Sequence, residues 1–203
     1  MLETLEMLGI VVKKEDKHYQ PLWVLRPNVN ADHQFDTHLR KALRELVRRT
    51  GCTAEWYESH EEGMQMRIQE PGRGEIQLKA HPGFCRRWSS ELDAVAMVGY
   101  AFCPQAPDVK GTYHIYLRNG QVETTGASHA REWVEQAKEK KKARDPAFNT
   151  NGVRRFAVPV FRNGEFAGSL TIAEIFSFET TPHPSHRFRA LKEVAGQLNH
   201  LFQ

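Results

Sequence analysis

Two strand-like runs separated by Asn163-Gly164 constrain this chain more than any other feature. Residues 152–173 read GVRRFAVPVFRNGEFAGSLTIA. Asn-Gly between such runs favours a two-residue turn in which both central residues take positive φ, so a β-hairpin turning at Arg162–Glu165 is expected. The first run, Phe156 to Phe161, is almost continuously apolar, as in a strand buried on both faces. In the second run, alternation puts Phe166, Leu170 and Ile172, with Gly168 between them, on one face. Ala167, Ser169, Thr171 and Ala173 fall on the other. The bulky face suits packing on helices. The small, hydroxyl-bearing face accommodates either another element's side chains or a ligand, and the pattern does not choose between them.

The rest of the chain supplies the context for that hairpin. Leu2, Leu5 and Leu8 stand at helical spacing ahead of Gly9, and two short strands with a charged turn follow between Ile10 and Pro21. A winged helix or a frayed end with a small hairpin fits this stretch. Asp32 to Arg49 predicts an amphipathic helix, with Asp32 as N-cap, Gly51 as C-cap and Leu39, Leu43 and Leu46 in the apolar stripe. Three short strands are expected at 53–58, 64–69 and 75–79. A helix capped by Ser89 or Ser90 follows, carrying Leu92, Val95, Ala96 and Gly99. A second hairpin is expected around Asn119-Gly120, and a helix from Ser128 to about Arg144 with Trp133, Val134 and Ala137 inward. The last helix runs from about Ser185 to Phe202. The order implies an α+β fold: an antiparallel sheet of five or six strands with helices packed mainly on one face.

Composition excludes several classes. The 203 residues are 40% hydrophobic and 26% charged, as in globular domains. A formal net charge of +3 does not by itself announce a nucleic-acid binder. No stretch is long and apolar enough to span a membrane, and the N-terminus has no export-signal pattern. Three scattered cysteines, Cys52, Cys85 and Cys103, argue against a disulfide framework and fit a cytoplasmic location. His81, Cys85, Cys103 and His114 match no compact metal spacing. No phosphate-binding loop, nucleophile elbow or paired-carboxylate motif is present, so neither a cofactor nor an enzymatic activity is expected.

Four segments resemble the IclR family of bacterial transcriptional regulators. LETLEMLGIVVKKEDKHYQPL is similar to the end of a recognition helix, a wing and a linker. HLRKALRELVRRTGCTAEWYE is similar to the first helix and strand of the family's effector domain. RDPAFNTNGVRRFAVPVF and GEFAGSLTIA resemble its two central strands. The resemblance implies a GAF-like effector-binding domain over residues 28–203, preceded over residues 1–27 by a remnant of a winged helix-turn-helix and its linker. The chain starts inside what would be the DNA-binding domain, and RRWSSELDAVAMVGYAF departs from the family's small-residue motif before the mid-domain helix.

The resemblance also implies a site. The effector would be a small organic acid or an aromatic compound, held by Asp145, Val153, Arg155, Thr171, Ala173 and Ser89. Arg155 stands where relatives carry Cys. On the pocket side it would offer a donor fork to a carboxylate; pointing out, it would be a surface residue. Asp145 fits equally a turn position before Pro146. Operator DNA would meet Thr4, Lys13, Lys14 and Lys17, and the assembly would be a homodimer or homotetramer, with no membrane partner. Three functions compete: the effector domain of a regulator, a stand-alone GAF-type sensor acting through a partner protein, and a small redox enzyme using Cys85 and Cys103.

Overall fold

The computed structural model describes residues 11–13, 18–21, 30–74, 78, 80–88, 91–117, 121–176 and 184–202. They fall in two compact units, residues 1–37 and 38–203. In the first, β1 (Val11–Lys13) pairs antiparallel with β2 (Tyr19–Pro21), the hairpin expected from the sequence. The helix expected over the first residues and the apolar run Leu22 to Leu25 lie outside the described residues.

Helix α1 (Asn30–Thr50) starts two residues ahead of the expected cap, so Asp32 falls inside its first turn. It ends where expected. Gly51 takes φ +71, and its N–H donates to the Val47 carbonyl at 2.8 Å. Leu39, Leu43 and Leu46 are fully buried.

The main sheet has six strands, all antiparallel. They are β3 (Thr53–His60), β4 (Gly63–Glu70), β5 (Cys85–Arg87), β8 (Ala143–Arg144), β9 (Val153–Arg162) and β10 (Glu165–Ile175), in the spatial order β5-β4-β3-β10-β9-β8. Among the described residues the third strand after α1 is β5; most of the strand expected at 75–79 lies outside the described residues. After β4 the chain turns back to the α1–β3 corner instead. The Gly72 N–H donates to Thr53 Oγ1, and that of Arg73 to the Gly51 carbonyl.

The central hairpin forms as Asn-Gly requires: Asn163 and Gly164 take φ +52 and +80. Its alternation needs one correction. A bulge lies between Phe166 and Gly168, so Phe166 leaves the face of Leu170 and Ile172. It packs with Tyr57, Met64 and Ala157 on the opposite side.

The two long helices cover one face of the sheet. On α4 (Pro184–Leu201), Phe188 meets Phe156 edge-on at 5.3 Å. Arg49 of α1 pairs with Glu193 of α4, and Arg187 Nη1 donates to the Thr50 carbonyl at 2.7 Å. Leu191, Val194 and Leu198 are buried here. Over the opposite face lies a shorter layer: α2 (Ala94–Phe102), a separate hairpin of β6 (Thr112–Tyr116) and β7 (Val122–Gly126), and α3 (Ala127–Lys140). Helix α3 stops at Lys140, four residues short of expectation. Lys141 turns left-handed at φ +47, which frees Ala143 and Arg144 to pair with Ala157 and Phe156 of β9. No described helix is long and apolar enough to cross a membrane.

Gly168 tests the bulge. A Cβ there would press on the Tyr57 carbonyl oxygen and lie 2.6 Å from Trp56 Cζ2. Gly168→Ala is expected to cost about 2–3 kcal/mol, read as a lower urea midpoint with an unchanged slope.

Candidate functional site

The inner face of the hairpin carries Arg155 and Ala157 from β9, and Ser169, Thr171 and Ala173 from β10. In register, Ala173 stands between Arg155 and Thr53, and Thr171 between Ala157 and Glu55. Because these β10 side chains are small, the Arg155 side chain crosses the strand and reaches β3. Its Nε donates to Glu55 Oε2 at 2.9 Å. Both partners are buried, Arg155 at 4% and Glu55 at 0% exposure. Removing two charges from water is costly, so such a pair persists only when its remaining polar atoms are also satisfied. Glu55 meets that condition, since Tyr57 Oη donates to its Oε2 at 3.0 Å and Gln69 Nε2 to its Oε1 at 3.2 Å. Burial, with the Glu55 charge next, pushes the Tyr57 phenol well above its usual range and keeps it a donor. Arg155 is held through its Nε.

Asp145 closes one end of this face. Its Oδ1 accepts from the Ala94 N–H at 2.6 Å, and its Oδ2 from the Arg155 N–H at 2.7 Å. One carboxylate thus ties the first turn of α2 to β9. Asp93 caps the same helix, accepting from the Ala96 N–H at 2.9 Å. The cap is therefore Asp93; Ser89 and Ser90, the expected candidates, lie outside the described residues. Burial, and then the nearby Asp93 charge, push the Asp145 carboxyl up to about 7. Arg155 and the two N–H groups oppose that rise. Arg86 Nε approaches Asp93 Oδ2 to 3.2 Å without the alignment of a hydrogen bond, which leaves both buried atoms unsatisfied. Arg86 Nη1 also donates to Glu91 Oε2 at 3.2 Å.

The other residues singled out from the sequence are placed as follows. Val153 is buried beside Ile175, and its N–H donates to Asn149 Oδ1. Ser169 and Thr171 are fully buried, their hydroxyls 3.2 Å apart. Ala173 is buried opposite Arg155. Thr4, Lys14 and Lys17 lie outside the described residues; Lys13 pairs with Tyr19 through its backbone. Cys103 is buried and its Sγ faces Gln105 Oε1 at 3.4 Å. Among the described residues no group of His, Cys, Asp and Glu is placed to hold a metal. Glu55, Tyr57, Gln69, Arg86 and Asp93 escaped the sequence reading. Only Asp93 had a local signal, a capping residue directly before an apolar run.

Neither a family model nor a curated protein matches this chain by sequence. Solved structures do match by shape. An IclR transcriptional regulator from Alicyclobacillus acidocaldarius superposes with a TM-score of 0.65 at 17% identity, over 100% of this chain and 83% of that one. The Thermotoga maritima IclR gives 0.65 at 19% identity, over 99% and 83%. This chain has the IclR-type fold. An IclR homologue from Microbacterium hydrocarbonoxydans, solved in complex with 4-hydroxybenzoate, gives 0.64 at 13% identity, over 98% and 82%.

Two outcomes check the electrostatics. Glu55→Gln, which leaves the buried Arg155 charge uncompensated, is expected to cost about 3–5 kcal/mol in urea unfolding, whereas Glu55→Leu combined with Arg155→Met recovers most of that loss. The second concerns pH. The folded-state value of Asp145, about 7, lies above its unfolded one, ordinarily about 3.9. Stability from this group is therefore present in full at low pH and is lost as pH rises towards 7. Asp145→Asn is expected to be less stable at acid pH and to show a flatter fall in unfolding free energy between about pH 4 and pH 7.

Proposed function

We propose that this chain is the effector-sensing part of a bacterial transcription regulator of the IclR type. Its ligand is a small organic acid or an aromatic compound, bound on the inner face of β9 and β10. The observation that carries this reading is the Arg155 guanidinium, buried and held at Nε by Glu55 on a face of small and hydroxyl-bearing side chains. A planar fork of that kind is suited to a carboxylate. The IclR-type fold supports the same reading, and the 4-hydroxybenzoate in the Microbacterium structure is an aromatic acid of this class.

In this reading Thr171 offers a hydroxyl beside the fork, and Val153 and Ala173 shape the wall. Asp145 acts by position, since both its oxygens hold backbone N–H groups. A ligand that draws on Arg155 bears directly on the strand to which Asp145 ties α2. Differential affinity for two arrangements of a homodimer or homotetramer then changes operator affinity. Residues 1–27, with Thr4, Lys13, Lys14 and Lys17, supply the DNA contacts, and residues 28–203 the sensor. The protein acts in the cytoplasm and catalyses no reaction.

Calorimetric titration with 4-hydroxybenzoate and a panel of small carboxylates tests this. Arg155→Lys keeps the charge beside Glu55 and removes the fork, so affinity is expected to fall roughly tenfold or more. Thr171→Val is expected to weaken binding with little change in melting temperature. Wild-type affinity in both variants rejects the inner face as the site. If the acid binds but the chain retards no DNA, it is a sensor acting through a partner protein.

A further inference from the structure

A cavity lies between α3, β8 and the start of α4. It is a groove of about 660 Å³. Its apolar surface includes Met97, Trp133 and Phe188, and its charged groups are Lys140, Lys142 and Arg144. No Asp or Glu occurs in its described lining. None of the three cations has a salt-bridge partner among the described residues. Lys142 Nζ instead sits over the Phe188 ring, 4.7 Å from its centroid. Partial burial, and then Lys192, Lys140 and Arg144, hold the Lys142 ammonium below the ordinary lysine range. Like charges gathered on an apolar surface with no counter-charge repel one another. An anion with an apolar body removes that repulsion and covers the aromatic surface in one step.

We propose that this groove is a second ligand site, for a small organic acid with an apolar body such as a medium-chain fatty acid. Charge complementarity selects the anion: every charged group of the described lining is positive. Size selects a small molecule, since the volume falls within the roughly 300–1,000 Å³ of small-ligand pockets. The carboxylate lies among Lys140, Lys142 and Arg144, and the chain lies along Trp133 and Phe188. Arg155, Glu55 and Thr171 take no part, so the proposal stands apart from the reading of the inner face. The groove is nevertheless connected to it. Arg144 pairs with Phe156 in the sheet, and the next residue is Asp145, the tie between α2 and β9.

Calorimetric titration with octanoate, with 1-octanol as the uncharged control, tests the proposal on the whole chain. Wild type is expected to bind octanoate saturably and more tightly than octanol, with the difference shrinking as salt is added. Lys142→Met combined with Arg144→Gln removes two cations that lie outside the core and is expected to keep the wild-type urea midpoint. It should weaken octanoate binding by roughly tenfold or more. Arg155→Lys should leave that affinity within about twofold, as expected for a site that shares no residue with the variant. The proposal is overturned if wild type shows no saturable binding or if octanol binds as tightly. It is equally overturned if the double variant binds as wild type does, or if only Arg155→Lys loses affinity, which would locate the anion on the inner face.

Discussion

The Arg155–Glu55 pair is the interaction on which the inner half of this molecule depends. Two opposite charges are held out of water on strands that are not neighbours, with β10 running between them. The arrangement requires small side chains on β10 at the crossing, which accounts for Ala173 and Thr171. It also requires Tyr57 and Gln69 to complete the carboxylate's hydrogen bonds, because a buried charge with unfilled acceptors is costly. Four positions scattered along the chain are therefore coupled through one ion pair. Such a pair does little for net stability and much for specificity of register, since a slip of one residue in any of the three strands would leave a charge alone in the core.

Asp145 extends the coupling from the sheet to the helical layer. Its two oxygens accept N–H groups from α2 and from β9, at Arg155 itself. The guanidinium paired with Glu55 and the backbone N–H that Asp145 holds thus belong to one residue. Asp93, on the next layer, adds a second carboxylate to the same neighbourhood. Together with burial it raises the protonation range of Asp145 to near neutrality.

The two sides of the sheet differ in kind. The outer side is closed by α1 and α4 through apolar packing, with Glu174 bridging Arg154 and Arg187. The inner side is built from shorter pieces around a polar network. At their common border, where α3 stops and β8 begins, cations gather around the half-buried Trp133 and Phe188, with no acid in the described lining. That border is partly exposed, whereas the Arg155 face is buried.

Local signals carried much of the architecture. Asn163-Gly164 determined the central turn, because few residue pairs tolerate two successive positive φ values. Apolar periodicity determined the helices, and alternation placed Ser169, Thr171 and Ala173 on one face. What the sequence could not decide were features created by contacts distant along the chain. The bulge at Phe166–Gly168 is set by how β10 meets Trp56 and Tyr57 of β3. The stop of α3 at Lys140 is set by pairing of Ala143 and Arg144 with β9, which outweighs the helical pattern of the lysines. Above all, the partner of Arg155 lies 100 residues away. Alternation left open whether the arginine points inward or out to solvent. Only the folding of β3 onto β10 brought Glu55 within reach of it, because an ion pair between distant strands depends on register, and register is a property of the assembled sheet.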